Sequence, residues 1–384
     1  MVSKEILDDE KAILALDRSS SFKDELAFYE NLRKAIRNVK AFKLPDKVKV
    51  GSHVVHYSDV ENIIFAGMGG SAIAGDIIKD WAEKEIKIPM EAVRGYHLPA
   101  YADEDTLVFL ISYSGNTEET LSCMLDAAQR GCKMISISSN GSLARATQAL
   151  GVPLIGLPKM AAARVSFPYL VAPIPYLLAK LNILSPDKVE KEMSEATEMV
   201  GKLTKEYDIK VPFEKNFTKK AALQIYGTVP IIYSYGLYRS VALRFKTQIN
   251  ENCKLPARFD VFPELDHNEI MGWEAEKPIL KHYTLILLRG PEEPEEVKTR
   301  IEVLKEKFFK KAKAMMEIHA QGQTALARIF NLLFTADMIT LYLAVLRRRD
   351  PVASQTFEIL KYQMTERLGT LNKLEEQIRK LACV

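Results

Sequence analysis

The sequence predicts an α/β protein with two doubly wound parallel-sheet domains and helical N- and C-terminal extensions. Three observations carry that reading. Apolar runs of strand length alternate with amphipathic stretches of helical period. Several runs, "TLVFLIS" at 106–112 among them, are apolar without interruption, as strands covered on both faces are. The alternation then restarts after a charged stretch, which gives two α/β halves in a chain of 384 residues, too long for one ordinary core.

Residues 1–45 are charged, with apolar positions at i, i+3 and i+4, and read as a helical extension ending near Pro45. The first domain is expected over 46–185. "NIIFAG" (62–67) is its first strand and breaks into "GMGGSAIAGD", from which "SAIAGDIIKDWAEK" continues as helix. "PMEAVR" (89–94) is a candidate second strand and "TLVFLIS" a third, followed by the helix "EETLSCMLDAAQRG", closed by Gly131. "KMISISS" (133–139), the helix "GSLARATQALG" and "VPLIGLP" (152–158) complete the run. Residues 186–222 read as a helical connection. The second domain, 223–361, holds the strands "TVPIIYSYG" (228–236), "HYTLILLRG" (282–290) and "AMMEIHA" (314–320), the helices between them, and a long apolar helix over 325–349. The tail 362–384 reads as a charged helix without a strand partner.

Composition narrows the function. Lys and Arg number 53 against 50 Asp and Glu, for a net charge of +3, which gives no reason to expect nucleic acid or an anionic membrane as partner. The basic cluster "KEKFFKKAKA" (305–314) reads as a solvated helix face. The four cysteines, Cys123, Cys132, Cys253 and Cys383, form no C-x-x-C pair and suit a reducing cytoplasm. The N-terminus lacks the apolar core of a secretory signal. The apolar stretch near 169–179 contains prolines and is too short to span a bilayer.

Two turns carry chemistry. In "AGMGGSAIAG" a strand ends in glycines and opens a helix, so unpaired N–H groups gather at the positive end of the helix dipole. Gly69 and Gly70 let a ligand approach the backbone, and Ser71 adds a hydroxyl. The spacing is not that of a dinucleotide fingerprint, and a tight packing turn is the plainer alternative. The second turn, "SYSGNTEET" (112–120), places Ser112, Ser114 and Thr117 at the end of the third strand. One hydroxyl would suffice to cap a helix, and here there are three. With no Walker lysine after either turn, nucleoside triphosphate hydrolysis is disfavoured, and a small phosphorylated molecule fits the pair.

"GMGGSAIAGD" and "SYSGNTEET" resemble the two phosphate-cradling turns of the sugar-isomerase (SIS) fold. "NENCKLPARFDVFPELDHNEIMGW" (250–273) is similar to the E-N-x-K-x-P-A and P-E-x-x-H-N-E motifs of the bifunctional phosphoglucose/phosphomannose isomerases. The similarity runs from about residue 55 to 361. It implies two SIS-type domains in a cytoplasmic homodimer that interconverts glucose 6-phosphate, and mannose 6-phosphate, with fructose 6-phosphate through an enediol, with no metal or other cofactor. Glu251 then matches the family's base, and His267 its ring-opening histidine, contributed by the neighbouring subunit. Arg164 matches an arginine beside the enediolate, and Lys361 a late lysine that contacts substrate. Each has a plainer reading: a helix-end carboxylate, an exposed histidine, an arginine paired elsewhere, an ordinary helix lysine. Glu264 and Glu269 flank His267, and either orients it or faces water. The family's acceptance of mannose 6-phosphate is linked to a threonine near that lysine. Here the neighbourhood reads "DPVASQTFEILK", where Val352 follows Asp-Pro, and Ser354 and Thr356 supply hydroxyls. The rivals are a non-catalytic SIS sensor of sugar phosphate, which would not need Glu251 and His267, the isomerase half of an amidotransferase, and a nicotinamide dehydrogenase.

Overall fold

The computed structural model describes residues 4–383. The chain divides into two compact units, neither of them continuous. One comprises Asn31–Glu190 together with the chain from Ser354. The other comprises the chain up to Glu30 together with Lys191–Ala353.

The first unit opens with a two-stranded antiparallel hairpin, β1 (Lys47–Val50) and β2 (His53–His56). Its main sheet holds β3 (Asn62–Gly67), β4 (Met90–Val93), β5 (Thr106–Ser112), β6 (Lys133–Ser138) and β7 (Leu154–Gly156). They lie in the order β4-β3-β5-β6-β7, all parallel. Every residue of β5 and β6 is buried, as central strands between two helix layers must be. Helices Gly69–Ala82, Glu118–Gln129 and Gly141–Ala149 make the crossovers. Helix Thr370–Ala382 packs against the last two, and its Leu374 and Ile378 join Leu121, Met124, Ala127 and Leu143 in one apolar cluster. Arg145 donates to Glu375 at 2.6 Å, and the Ser142 hydroxyl donates to the same carboxylate. These donors hold the Glu375 carboxyl below its ordinary range, the hydroxyl contributing most.

The second unit carries β8 (Val229–Tyr235), β9 (Arg258–Phe262), β10 (Tyr283–Arg289) and β11 (Ala314–His319), in the order β11-β10-β8-β9 and again all parallel. Helix Ala325–Leu346 is long and apolar enough to cross a membrane by length and composition, more so than the 169–179 stretch weighed from sequence. Its most apolar stretch is wholly buried, as the core of this unit. Helices Glu10–Leu16 and Ser21–Leu26 belong here too, and Phe22 packs on Tyr342. Arg244 and Asp337, each 1% exposed, pair through both carboxylate oxygens.

The fold departs from the sequence reading in four places. The expected N-terminal helix is four pieces, the last of them Phe28–Ala41, and one break falls where Asp17 accepts from the Ser21 and Phe22 N–H groups at 2.8 Å and Ser20 takes a φ of 60°. The hairpin β1–β2 and the strand β9 have no counterpart in that reading. Each is short and partly exposed, so none shows the apolar run that marks a buried strand. The charged tail is two helices, Gln355–Leu368 and Thr370–Ala382, and the second completes the core of the first sheet. The compact units therefore do not follow the expected order of extension, domain, connection, domain and tail.

Candidate active site

β3 and β5 are adjacent and in register, with Gly67 opposite Ile111, so the two glycine- and hydroxyl-bearing turns leave the sheet side by side at its C-terminal edge. Such an edge is where open α/β sheets bind ligands. At the first turn, a Cβ on Gly67 would lie 2.8 Å from the Ile111 carbonyl oxygen, so close packing requires glycine there. Gly69 has a φ of 52°. A Cβ on Gly69 or Gly70 would meet nothing within 4 Å, so the space beside both is open. Met68 precedes the helix and provides no side-chain cap. The start of the helix thus presents backbone donors to an open cradle, with Ser71 buried just behind.

The second turn is braced from within. Ser112 is buried, its Oγ lies 2.8 Å from Thr117 Oγ1, and it accepts from the Gly115 N–H at 3.1 Å. Ser114 is exposed, and its Oγ accepts from the Asn116 N–H at 3.2 Å. The three hydroxyls anticipated as one cluster are therefore arranged as an inner pair and an outer one. Gly115, at φ 68°, passes so near the β6 turn that a Cβ would sit 1.7 Å from the Asn140 oxygen. The Leu143 N–H donates to the Gly115 carbonyl at 2.8 Å, and Asn116 Oδ1 accepts from the Ser142 N–H at 2.9 Å. Thr117 precedes helix Glu118–Gln129 without capping it by side chain, so this helix start also presents backbone donors.

Arg164 is half-buried in the stretch between β7 and helix Phe167–Val171. That stretch is tied to the second turn: Tyr113 Oη donates to the Met160 carbonyl at 2.8 Å and accepts from the Met160 N–H at 2.6 Å. The turns and Arg164 therefore belong to one unit. Lys361 is exposed on helix Gln355–Leu368, which falls in the same compact unit as the turns because it runs into the helix that packs on the first sheet.

Glu251 and His267 belong to the other unit. Glu251 is exposed in the last turn of helix Arg239–Cys253. The backbone around it is held: Asn252 Nδ2 donates to Thr340 Oγ1 at 2.8 Å, and Arg347 Nε donates to the Cys253 carbonyl at 2.8 Å. Lys254, at φ 50°, donates to the Glu251, Asp350 and Pro351 carbonyls, each at 2.8 Å. The lysine of the E-N-x-K-like motif is thus spent on shaping the helix end. His267 is exposed at the end of a 3-10 turn, Glu264–His267, that follows β9. Its neighbour Asp266 is shifted up by burial, against the pull of Arg300 at 3.4 Å. Among the described residues no group of three or more His, Cys, Asp or Glu is arranged to hold a metal ion.

A model of the SIS domain matches residues 56–156, and a model of the bacterial phospho-glucose isomerase C-terminal SIS domain matches residues 214–364. The bifunctional phosphoglucose/phosphomannose isomerase of Caldicellulosiruptor bescii is 36% identical over 328 residues, covering 85% of this chain and 95% of its own. The chain belongs to the bifunctional phosphoglucose/phosphomannose isomerase family. The family member from Aquifex aeolicus is also 36% identical, over 79% of this chain and 90% of its own. A solved structure of a hypothetical protein from Thermus thermophilus superposes with a TM-score of 0.69 at 17% identity, covering 94% of each chain, a likeness that concerns the fold. Both SIS-type domains of this family member are thus parallel sheets flanked by helices. Sequence reasoning missed the Tyr113–Met160 tie and the bracing of Gly115, which pair residues far apart in the chain. It left Glu264 and Glu269 equal, and the structure separates them. Glu269 accepts from Tyr233 Oη at 2.9 Å and from Arg258 at 2.5 Å, whereas Glu264 is exposed and accepts from Asn268 Nδ2 at 3.0 Å.

Proposed function

We propose that this protein isomerises glucose 6-phosphate and mannose 6-phosphate to and from fructose 6-phosphate, as a cytoplasmic homodimer serving glycolytic sugar metabolism. The observation that carries the reading is the pair of adjacent turns whose helix starts lack side-chain caps, with open space beside Gly69 and Gly70, in a chain of this family.

A dianionic phosphate is held there by backbone N–H groups and the hydroxyls of Ser71, Ser114 and Thr117, and Ser112 keeps Thr117 in place from behind. The sugar must be opened before its carbons can exchange a proton. His267, supplied by the neighbouring subunit, moves the proton between the ring oxygen and O1, work suited to a group that both donates and accepts near neutral pH. Glu251 then takes the proton from C2, holds it while the enediol forms, and returns it to C1. Arg164 offsets the negative charge that grows on the enediolate oxygens, and Lys361 contacts the bound substrate. As C2 gives up its proton O1 takes one, and as C1 is protonated O2 releases one, a net exchange between neighbouring oxygens of the enediol that calls for no metal or other cofactor. Acceptance of mannose 6-phosphate needs rotation about C2–C3, for which Ser354 and Thr356 are the nearby hydroxyls.

The test is Glu251→Gln, which keeps the shape and removes the acceptor. Turnover should fall by at least about a hundredfold, within the range of about 10²–10⁴ of general-base catalysis. Solvent deuterium should enter C2 of glucose 6-phosphate with the wild type and not with the variant. Exchange at the wild-type rate in the variant would exclude Glu251 as the base. Mixing Glu251→Gln with His267→Ala under subunit exchange should restore activity through hybrid dimers. No recovery despite verified exchange would place both residues in one subunit's site.

A further inference from the structure

His267 sits at an exposed tip whose two flanks are fixed. Two residues before it, Leu265 is fully buried in the apolar cluster formed with Tyr233, Phe262, Trp273, Leu285 and Leu287. Two residues after it, Glu269 is the polar counterpart, with its side chain only 13% exposed. One of its carboxylate oxygens accepts from Tyr233 Oη at 2.9 Å, the other from the Arg258 guanidinium at 2.5 Å. Tyr233 is itself rigid. Its hydroxyl accepts from Trp273 Nε1 at 3.0 Å, and its ring packs against Phe262, Trp273 and Phe309 with centroids 5.8–6.5 Å away. Burial raises the Tyr233 phenol well above its ordinary range, so it remains a donor to Glu269. The chain between the anchors is short. Asn268 Oδ1 accepts from the Glu269 N–H at 2.5 Å, closing the backbone directly after His267.

From this geometry we infer that Glu269 is the positioning residue of the ring-opening step: through Tyr233 and Arg258 it fixes the turn that presents His267. The inference rests on the ring-opening role proposed for His267. A group that transfers a proton gains from being held in place, because a displacement of about 1 Å can cost about a hundredfold in rate. Leu265 fixes the depth of the turn, and a buried apolar anchor alone leaves it free to rotate. The donors of Tyr233 on β8 and Arg258 on the neighbouring β9 each hold a different oxygen of the one carboxylate and remove that freedom.

The experiment uses the full chain and two substrates. Anomer exchange of glucose 6-phosphate, followed by magnetisation-transfer NMR, reads ring opening directly. Isomerisation of an aldose phosphate too short to close a ring reads proton transfer without ring opening. Glu269→Ala should slow anomer exchange by at least about tenfold, well within the range of a misplaced catalytic group. It should leave the rate on the ringless substrate within about twofold of wild type, and Glu269→Gln, which keeps the acceptor for Tyr233, should fall between. His267→Ala is run beside them. If His267→Ala slows anomer exchange and Glu269→Ala does not, the inference is overturned. If both substrates slow equally with Glu269→Ala, the residue is merely structural and the inference is again overturned. If His267→Ala exchanges anomers at the wild-type rate, the ring-opening role itself fails and the inference falls with it. Should Glu269→Ala not fold, Tyr233→Phe and Arg258→Met each remove one arm of the clamp: slowed anomer exchange in both supports the inference, and wild-type exchange in both overturns it.

Discussion

Replacing Gly70 by alanine and replacing Gly115 by alanine should leave opposite signatures, although both glycines lie in the turns assigned to the phosphate. Gly70 is helical with an ordinary φ, and a Cβ there meets nothing within 4 Å. Alanine should therefore leave stability unchanged or raise it by up to about 1 kcal/mol. Its methyl, however, enters the open cradle. Loss of one charge-assisted hydrogen bond to phosphate costs about 1.5–3 kcal/mol, which corresponds to a rise in KM of about 10- to 150-fold. Gly115 is the reverse. Its φ of 68° costs a side chain about 1–2 kcal/mol. The new Cβ would lie 1.7 Å from the Asn140 oxygen, so the β5 and β6 turns must part. Parting them threatens the bond from the Leu143 N–H to the Gly115 carbonyl and that from the Ser142 N–H to Asn116 Oδ1, each worth about 0.5–1.5 kcal/mol. The total, about 2–5 kcal/mol, is a large share of the roughly 5–15 kcal/mol that holds a domain folded. Thermal unfolding together with KM for fructose 6-phosphate reads both effects. An unchanged KM in Gly70→Ala would remove the phosphate from the first turn, and an unchanged melting temperature in Gly115→Ala would refute the bracing of the second.

Two further outcomes follow from buried features. Glu25 is 2% exposed beside Asp337, and burial together with the negative charge of Asp337 raises its carboxyl well above the ordinary value, against the pull of Arg244. A group raised on folding contributes stability that is complete below its unfolded pKa and is lost as pH rises through the folded one. Glu25→Gln should thus flatten the decline of melting temperature above about pH 4.5 and leave the acid side unchanged. An identical pH profile in the variant would show Glu25 already ionised. Ile378→Ala should destabilise the first unit by about 2–5 kcal/mol, since the side chain is fully buried in the cluster under the first sheet. A melting temperature equal to wild type would mean that helix Thr370–Ala382 does not pack there in solution.

The parts legible in the sequence were those that are local. β3, β5, β6, β8 and β10 announce themselves as apolar runs because both faces are buried, and the cradle glycines announce themselves because a helix start against a strand end leaves few other residues possible. β9 was not legible: three of its five side chains are half-buried and one is exposed, so "RFDVF" shows no run. The same limit hid the clamp on His267. Tyr233 and Glu269 are far apart in the chain, and nothing in "TVPIIYSYG" marks the tyrosine as the partner of a carboxylate beyond β9. The C-terminal helix misled for a related reason. Its polar face dominates the composition, and only Leu374 and Ile378 are buried.

Because each unit borrows from the far end of the chain, synthesis and folding cannot proceed in the same order. The first sheet has all five strands once the ribosome has passed Gly156, yet the helix that covers Leu121, Met124 and Leu143 begins only at Thr370. At roughly 5–20 residues per second, those side chains wait on the order of tens of seconds for their cover. The segment up to Glu30 waits in turn for Lys191–Ala353. A nascent chain of this design carries an uncovered apolar surface through most of its translation. Expression of residues 46–185 alone should therefore yield a sheet that aggregates, and supplying helix 370–382 in trans should keep it soluble.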